Sequence, residues 1–595
     1  MKKRVCDIVM DTLISRGVTT CFAVTGGGAM YLDNALFKCK TMNKMFNHHE
    51  QACAMAAEGY YKASGKMALV CVTSGPGGTN TLTGVMGAWV DSIPMIVISG
   101  QVRYEISVPK SGLKLRYRGT QEFDIIDTVK TMTKYAKIVI NPLDIKMEIN
   151  KAVDIALSGR RGPVWLDIPM DVQSSIVETD DLTTCFNFKK EYSITRNCVE
   201  DVLQIIKEAK RPVILAGRGV STSNAINSFR KMVDILNVPV LTSSSGAGIL
   251  YHDNKNYFGS SGSFGPRAGN FIIQNADFIL TLGCSLSFSS TGFAQQYFAP
   301  NATIYSVDVE PDELKKPGLH INKAIICDVH QFIDQVIQIS SRIDVSKKWL
   351  EYCELVKNRF SPFEAAFTKK NNERVCSYVF WSKYYKHARK DTITVLGNNT
   401  AIIGGLQAGT YKEEQMIIGN KNCGSMGYDI PAAIGAAVGS NREVILVTGD
   451  GSFMMNLQEL QTIKHYGLSI KIVVFENNGY NAIRQTHKNF FNGELIGCTP
   501  ETGVSFPSFE KVADTFGFAY QKCETNGQID DALSNFFSIK DNVILEISEL
   551  LDDPIVPKVM SRPLPDGTLA TPALQDMAPF IDKEEYDELM KISKE

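Results

Sequence analysis

Short, continuously apolar runs punctuated by glycine recur along the chain. Cys21–Val24, Ala68–Thr73, Met95–Ser99 and Val164–Ile168 come first. RPVILAGRG from Arg211, then VPVLTS, ADFILTLG and ATIYSVDVE, form a second group, and DTITVLG, REVILVTGDG, IKIVVFENN and NVILEIS a third. Runs of this length with no polar alternation mark strands buried on both faces of a parallel sheet. Helix-spaced segments separate them, so the pattern predicts an α/β protein of three doubly wound parallel-sheet domains, over residues 1–175, 190–340 and 370–550. Residues 551–595 are proline-rich and read as an irregular tail packed over the body. The polar stretches Asp171–Glu191 and Ile343–Glu373 show no strand signal and read as linkers. The first and third blocks share length and strand rhythm, which suggests a duplicated architecture.

The third block holds the sharpest local pattern, VILVTGDGSFMMNLQELQTIKHYGLSIKIVVFENNGY from Val444 to Tyr480. Glu443–Thr448 and Ile470–Phe475 read as buried strands. Met454–His465 reads as the helix between them, with Met455, Leu457, Leu460 and Ile463 apolar. A strand–helix–strand crossover is right-handed and lays its strands parallel with their carboxyl ends on one edge. Asp450 and Asn477 then stand side by side where open α/β sheets bind ligands. Gly449 and Gly451 let backbone approach closely. Two hard oxygen ligands with few charges nearby suit Mg²⁺, which shares substrate phosphates; GDG alone would be an ordinary strand-end turn.

Composition changes this picture only by exclusion. At 595 residues, 44% hydrophobic and 21% charged, the chain is of ordinary globular composition. A net charge of −2 leaves no electrostatic footprint for nucleic acid. Fourteen cysteines are scattered singly without a CxxC pair, as in a reducing cytoplasm. The N-terminal MKKRVCDIVMDTLISRG is an amphipathic helix interrupted by Asp7 and Asp11, and no apolar run is long enough to span a membrane.

Other constellations add to the chemistry. Glu50 stands just ahead of an Ala-rich helix in NHHEQACAMAAEGYYKASGK. It reads either as a cap or dipole partner, or as a buried acid that hydrogen-bonds a heterocycle nitrogen. TSGPGGTNTLTGV, Thr73–Val85, has phosphate-loop character without a Walker or dinucleotide fingerprint. Met426 lies between Gly424 and Gly427 in NCGSMGYDIPAAIGAAVGS, either core filler or a wedge. GNNTA, Gly397–Ala401, puts short polar groups at another strand end, suited to a diphosphate.

Together these residues resemble the thiamine-diphosphate (ThDP) enzymes, most closely the acetolactate synthase group. The resemblance rests on HEQACAMAAEGY, TSGPGGTN, DSIPMIVISGQV, GTQEFDII, GRRGPVWLDIPMDVQ, SMGYDIPAAIGA and the GDG…NN pair, and covers nearly the whole chain. It implies pyrimidine-binding, central and diphosphate-binding domains in that order. It further implies Mg²⁺ on Asp450, Asn477 and the Gly479 carbonyl, with Asn398, Asn399, Thr400, Gly449, Gly451, Ser452 and Tyr480 around the diphosphate. Met426 would be the wedge that folds the cofactor, between Gly424 and Ser425 on one side and the metal site on the other. Glu50 would protonate the pyrimidine ring, with Gly27 and Gln121 beside it, Gln121 on the substrate side. The resemblance implies a homodimer or homotetramer with each site shared between subunits, acting on a 2-keto acid, pyruvate by the GGG at Gly26–Gly28, and on a carbonyl acceptor. Simple decarboxylation and flavin-linked oxidation remain alternatives.

The chain also departs from the group. Thr486 stands where acetolactate synthases carry a Trp after the metal-ligand Asn, leaving a larger, more polar acceptor pocket. That resembles the branch serving surface-polysaccharide and branched-sugar pathways, with a nucleotide-linked keto-sugar as acceptor. Arg484, Gln485 and His487 either hydrogen-bond such a sugar or form a solvated helix face. Met170 replaces a Lys of the group. LGCSLSFSSTG, Leu282–Gly292, lacks both Arg of the flavin-containing members, which argues against FAD, although Gly217–Gly219, Gly265–Arg267 and Asp308 keep a nucleotide-binding outline.

Overall fold

A computed structural model describes residues 1–186, 192–563 and 568–594. Among these residues, three six-stranded, wholly parallel sheets form three domains. The first contains β1 (Thr20–Ala23), β2 (Asn43–Phe46), β3 (Leu69–Val72), β4 (Ile96–Gln101), β5 (Tyr135–Ile138) and β6 (Val164–Pro169). The second contains β7 (Pro212–Ala216), β8 (Val240–Ser243), β9 (Tyr257–Ser261), β10 (Phe278–Leu282), β11 (Thr303–Asp308) and β12 (Lys323–Ile326). The third contains β13 (Ile393–Leu396), β14 (Met416–Ile418), β15 (Val444–Gly449), β16 (Ile470–Glu476), β17 (Ala519–Cys523) and β18 (Val543–Ser548). The strand order is 2-1-3-4-6-5 in the first sheet and 14-13-15-16-18-17 in the third, the same path through space. The central sheet runs 9-8-7-10-11-12, a different winding. The first and third domains are thus two copies of one topology, as their shared rhythm suggests.

Each sheet carries an apolar core on both faces, as doubly wound sheets must. One of these cores is common to the first and third domains, running from Phe22 and Trp165 through to Ile472 and Ile544. Helices Glu50–Ser64 and Asp429–Ser440 form its centre. Both are built of Ala and Gly on the facing side, so their backbones touch. A Cβ on Gly435 would lie 1.9 Å from the Ala56 carbonyl oxygen, and one on Gly59 2.2 Å from that of Ala432.

Three expectations need correction. The segment Met454–His465 is not one helix: Asp450–Met454 and Glu459–Tyr466 are separated by a turn. Leaving the helix lets the Asn456 amide donate to the Gly427 carbonyl at 2.7 Å, and Met455 becomes exposed instead of apolar core. The first linker contains a short strand, Ile176–Glu178, paired antiparallel with Lys2–Arg4, while its residues 187–191 lie outside the described residues. The second linker contains helix Lys347–Arg359, whose buried Trp349, Tyr352, Cys353 and Val356 complete a core of the central domain.

The tail returns to that central domain; Pro565, within it, lies outside the described residues. Arg267, 3% exposed, donates to the carbonyls of Met577 at 3.1 Å and Pro579 at 2.8 Å, and Asn270 donates to that of Leu574 at 3.0 Å. No helix among the described residues is long and apolar enough to cross a membrane, and all fourteen cysteines are free.

The glycine contact yields a direct test. Gly435→Ala forces the two helices apart and is expected to destabilise the protein by roughly 1–3 kcal/mol, the usual cost of overpacking. Urea unfolding reads this; an unchanged midpoint would show that the contact has slack.

Candidate active site

The crossover places β15 and β16 side by side in parallel, with Gly449 paired to Phe475 at their carboxyl ends. Asp450 and Asn477 follow directly, 2% and 4% exposed. The Asp450 carboxylate accepts three backbone N–H groups, from Gly451 at 2.7 Å, Asn477 at 3.1 Å and Gly479 at 3.2 Å. Burial pushes its pKa up to about 7, against those hydrogen bonds. No cationic side chain pairs with it among the described residues. A buried carboxylate with amide donors and no counter-charge fits a divalent cation, and the neighbouring oxygens of Asn477 and Gly479 fit the rest of a hard ligand set. Among the described residues no cluster of three acidic, His or Cys side chains offers a metal site, so any ion here depends on one carboxylate.

The other predicted residues of the third domain gather round this edge. Asn398–Thr400 follows β13, the strand beside β15, with Asn399 at φ 54° and Thr400 opening helix Thr400–Ala408. The Asn398 amide donates to the Gly424 carbonyl at 3.2 Å. Gly424, at φ 65°, and Gly427, at φ 81°, turn the chain on either side of Ser425 and Met426. The Ser452 hydroxyl accepts from the Gly427 N–H at 2.9 Å. Gly451 lies so close to the Tyr480 ring that a Cβ would sit 2.3 Å from it, with the Met426 methyl 3.3 Å away. Met426 therefore leans over the GDG turn instead of filling a core.

Sequence reasoning missed two members of this site and gave a third, Arg484, another role. Asp429, fully buried, accepts from the Thr448 and Ser452 hydroxyls and braces the GDG turn from behind; burial raises its pKa. Glu549, fully buried, accepts from the Asn477 amide at 2.6 Å, and burial pushes it well above the carboxylate range. Arg484, 5% exposed, donates to the Asn477 side-chain oxygen at 2.8 Å and its backbone carbonyl at 3.1 Å. The only signal for Glu549 was an acid just past the strand NVILEIS.

Arg484 and its neighbours also correct the acceptor reading. Arg484 is neither solvated nor free for a sugar, because it is committed to Asn477 and the Leu551 carbonyl. Gln485 donates to the Asp553 carbonyl at 2.7 Å, and His487 Nδ1 lies 2.5 Å from the Glu494 carbonyl. Thr486 is exposed, its hydroxyl returned to the Ala482 carbonyl at 3.0 Å.

The first domain holds a second cluster at the carboxyl ends of β1 and β3. Glu50 opens helix Glu50–Ser64, capped by the His49 side chain, and accepts from the Asn80 amide at 2.9 Å. It is half-buried in the single chain, not buried as expected. Gly27 begins a short 3₁₀ turn beside Thr73, whose hydroxyl accepts from the Gly28 N–H at 3.0 Å. Gln121, exposed at φ 59°, lies over the TSGPGG turn, where a Cβ on Gly75 would meet its carbonyl at 2.4 Å. The Asn456 amide links the two clusters indirectly, donating to Gln51 Oε1, next to Glu50, at 3.1 Å and to the Gly427 carbonyl at 2.7 Å.

A cleft of about 870 Å³, counting its open mouth, lies against the central sheet and is lined by Arg160, Arg218, Ser243, Asp308 and Asn422 among others. Gly217 and Gly219 pack on the backbone of Gly283, where a Cβ would meet atoms at 2.2 and 2.4 Å, and Arg267 is committed to the tail. Asp308 is raised to about 6 by burial. Three arginines line the cleft, Arg160, Arg161 and Arg218; Arg160 pairs with Glu313 and Arg161 donates to the Tyr61 hydroxyl.

Known proteins place this architecture. Three family models match in order: the N-terminal TPP binding domain of thiamine pyrophosphate enzymes over residues 3–128, their central domain over 199–336, and their C-terminal TPP binding domain over 397–547. The chain is 30% identical over 548 residues to the acetolactate synthase isozyme 2 large subunit of Escherichia coli K12, covering 91% of this chain and 94% of that protein. It is 29% identical over 530 residues to the acetolactate synthase large subunit of Lactococcus lactis IL1403, covering 88% and 89%. It is likewise 29% identical over 603 residues to the probable acetolactate synthase large subunit of Methanocaldococcus jannaschii, covering 98% of each. The chain belongs to the thiamine-diphosphate enzyme family and is an enzyme of acetolactate synthase type.

Proposed function

We propose that this protein is a ThDP- and Mg²⁺-dependent carboligase that decarboxylates a 2-keto acid, pyruvate in the first instance, and joins the remaining acyl unit to a carbonyl acceptor. The observation that carries the reading is the convergence of Asp450, Asn477 and Gly479 with Gly424 and Met426 on one strand edge. Asp450 and the oxygens of Asn477 and Gly479 would hold the cation. Arg484 uses one lone pair of the Asn477 oxygen and leaves the other. Helix Thr400–Ala408 directs its amino end at the same edge, where a diphosphate is favoured. Bound ThDP supplies the electron sink that lets a 2-keto acid lose CO₂. Gly424 offers a carbonyl lone pair beyond the one Asn398 uses, Met426 props the space over the GDG turn, and Glu50 holds a proton for a ring nitrogen.

Exposed apolar surface near both clusters supports a homodimer with each site completed across the interface. Leu113, Leu115 and Tyr117 flank Gln121, and Phe490, Phe491 and Ile496 follow Tyr480. Such patches are the signature of a covered surface.

For the acceptor, two observations pull apart. The relatives' names favour plain acetolactate synthase chemistry on a second pyruvate. Thr486 on an exposed helix face, in place of an indole, favours something bulkier, such as a nucleotide-linked keto-sugar, since each lost methylene-scale contact relaxes discrimination by roughly 1–3 kcal/mol.

Four tests follow from these assignments. Glu50→Gln should bind ThDP normally and lose roughly 10²–10⁴-fold in turnover, the usual worth of a positioned acid; wild-type turnover would refute its role. Asp450→Ala should weaken Mg²⁺–ThDP binding roughly tenfold or more, read by calorimetry. Mixing these two inactive variants should restore part of the activity if each site spans two subunits, and restore none if it does not. Finally, the protein is incubated with pyruvate, Mg²⁺ and ThDP, alone and with larger keto acids or nucleotide keto-sugars, and the products are weighed. Rapid acetolactate formation with no gain from any larger acceptor returns the chain to plain acetolactate synthase.

A further inference from the structure

The segment Gly419–Tyr428, which carries Gly424 and Met426, rests on a buried charge cluster of the first domain. Lys62 and Glu58 stand one turn apart on helix Glu50–Ser64, and Asp91 follows helix Leu82–Val90. Their side chains are 3%, 0% and 1% exposed. Lys62 Nζ donates to Glu58 at 2.5 Å, to Asp91 at 2.7 Å and to the Gly419 carbonyl at 2.8 Å, and lies 3.4 Å from the Tyr428 hydroxyl. One ammonium thus grips both ends of the segment. The middle is held through Asp91, whose other oxygen accepts from the Asn422 amide at 2.8 Å. Between these points the Asn420 carbonyl accepts from the N–H groups of Cys423 at 3.0 Å and Gly424 at 2.7 Å, closing a tight turn that leads into Met426.

Burying three charges is an expensive way to hold two domains together, since apolar residues of similar size do so without the desolvation cost. What the charges add is direction. An ammonium with fixed acceptors sets the spacing of Gly419, Asn422 and Tyr428 far more tightly than apolar contact would, and a displacement of about 1 Å at a reacting centre costs on the order of 10²-fold in rate. We propose that Lys62, with Asp91 and Asn422, is a positioning residue that sets where Gly424 and Met426 stand. The proposal rests on the reading of those two residues as cofactor-facing.

The test uses the full-length protein with Mg²⁺ and compares Lys62→Met, Lys62→Arg and Asn422→Ala. Each is measured for ThDP affinity by calorimetry, for kcat and KM with pyruvate well below the melting temperature, and for the melting temperature itself. Lys62→Met is expected to lose roughly tenfold or more in ThDP affinity and in kcat, as supporting contacts of a site commonly do, with Lys62→Arg recovering most of both. Asn422→Ala removes the Asp91 contact of an exposed loop residue, together with a longer one to the Ser245 hydroxyl at 3.3 Å, so it tests the idea even if Lys62→Met does not fold. It should lose affinity and kcat in the same sense with its melting temperature unchanged. A purely structural role would lower the melting temperature and leave the folded enzyme's kcat intact. Wild-type affinity and kcat in folded Lys62→Met, or in Asn422→Ala, would overturn the proposal alone. Wild-type protein that binds no ThDP would overturn the functional reading and this proposal together.

Discussion

Direct contact between two helix backbones holds this molecule in register. Gly59 and Gly435 carry no side chain at the points where helices Glu50–Ser64 and Asp429–Ser440 cross, and neither point has room for one. Glu50 opens one of these helices, and the Gly424–Met426 loop leads into the other. The two candidate clusters are therefore mounted on one junction, with the cores of the first and third sheets merged around it. Small residues at a crossing give this precision because only backbone atoms, which cannot repack as side chains do, define the distance.

The inner architecture was legible in the sequence and the edges were not. All twelve strands read from apolar runs are present, four inside each sheet. The six that escaped, β2, β5, β9, β12, β14 and β17, are the two outermost strands of each sheet. An edge strand is covered less completely, so NKMF, YAKI or AYQKC mixes polar and apolar residues without a clear period. Asp450 and Asn477 were readable because each follows an interior strand directly. Arg484 was not, because its work depends on a helix turning it back onto Asn477, which no spacing rule specifies.

The acids of the third domain share a common electrostatic design. Asp429, Asp450 and Glu549 are buried at one strand edge, receive hydroxyl, amide or backbone N–H donors, and are all raised by desolvation. All three are shielded from solvent, and their donors come from the protein itself. In such a setting the charge of a ligand is felt at full strength, and little reorganisation accompanies its arrival. Arg484 is a buried side chain of opposite sign held against Asn477, and it offsets the acids locally.

The course of the last residues has a mechanical meaning. After leaving the third sheet the chain crosses to the central domain, where Arg267 and Asn270 grip its carbonyls and the Tyr352 hydroxyl donates to that of Leu589 at 3.0 Å. The central domain is thus strapped as well as threaded: two covalent connections enter and leave it, and a third length of chain is fastened across its helices. A lobe tied only at its two linkers could swing about the line joining them. The added strap is a third attachment off that line, and it opposes rotation about it.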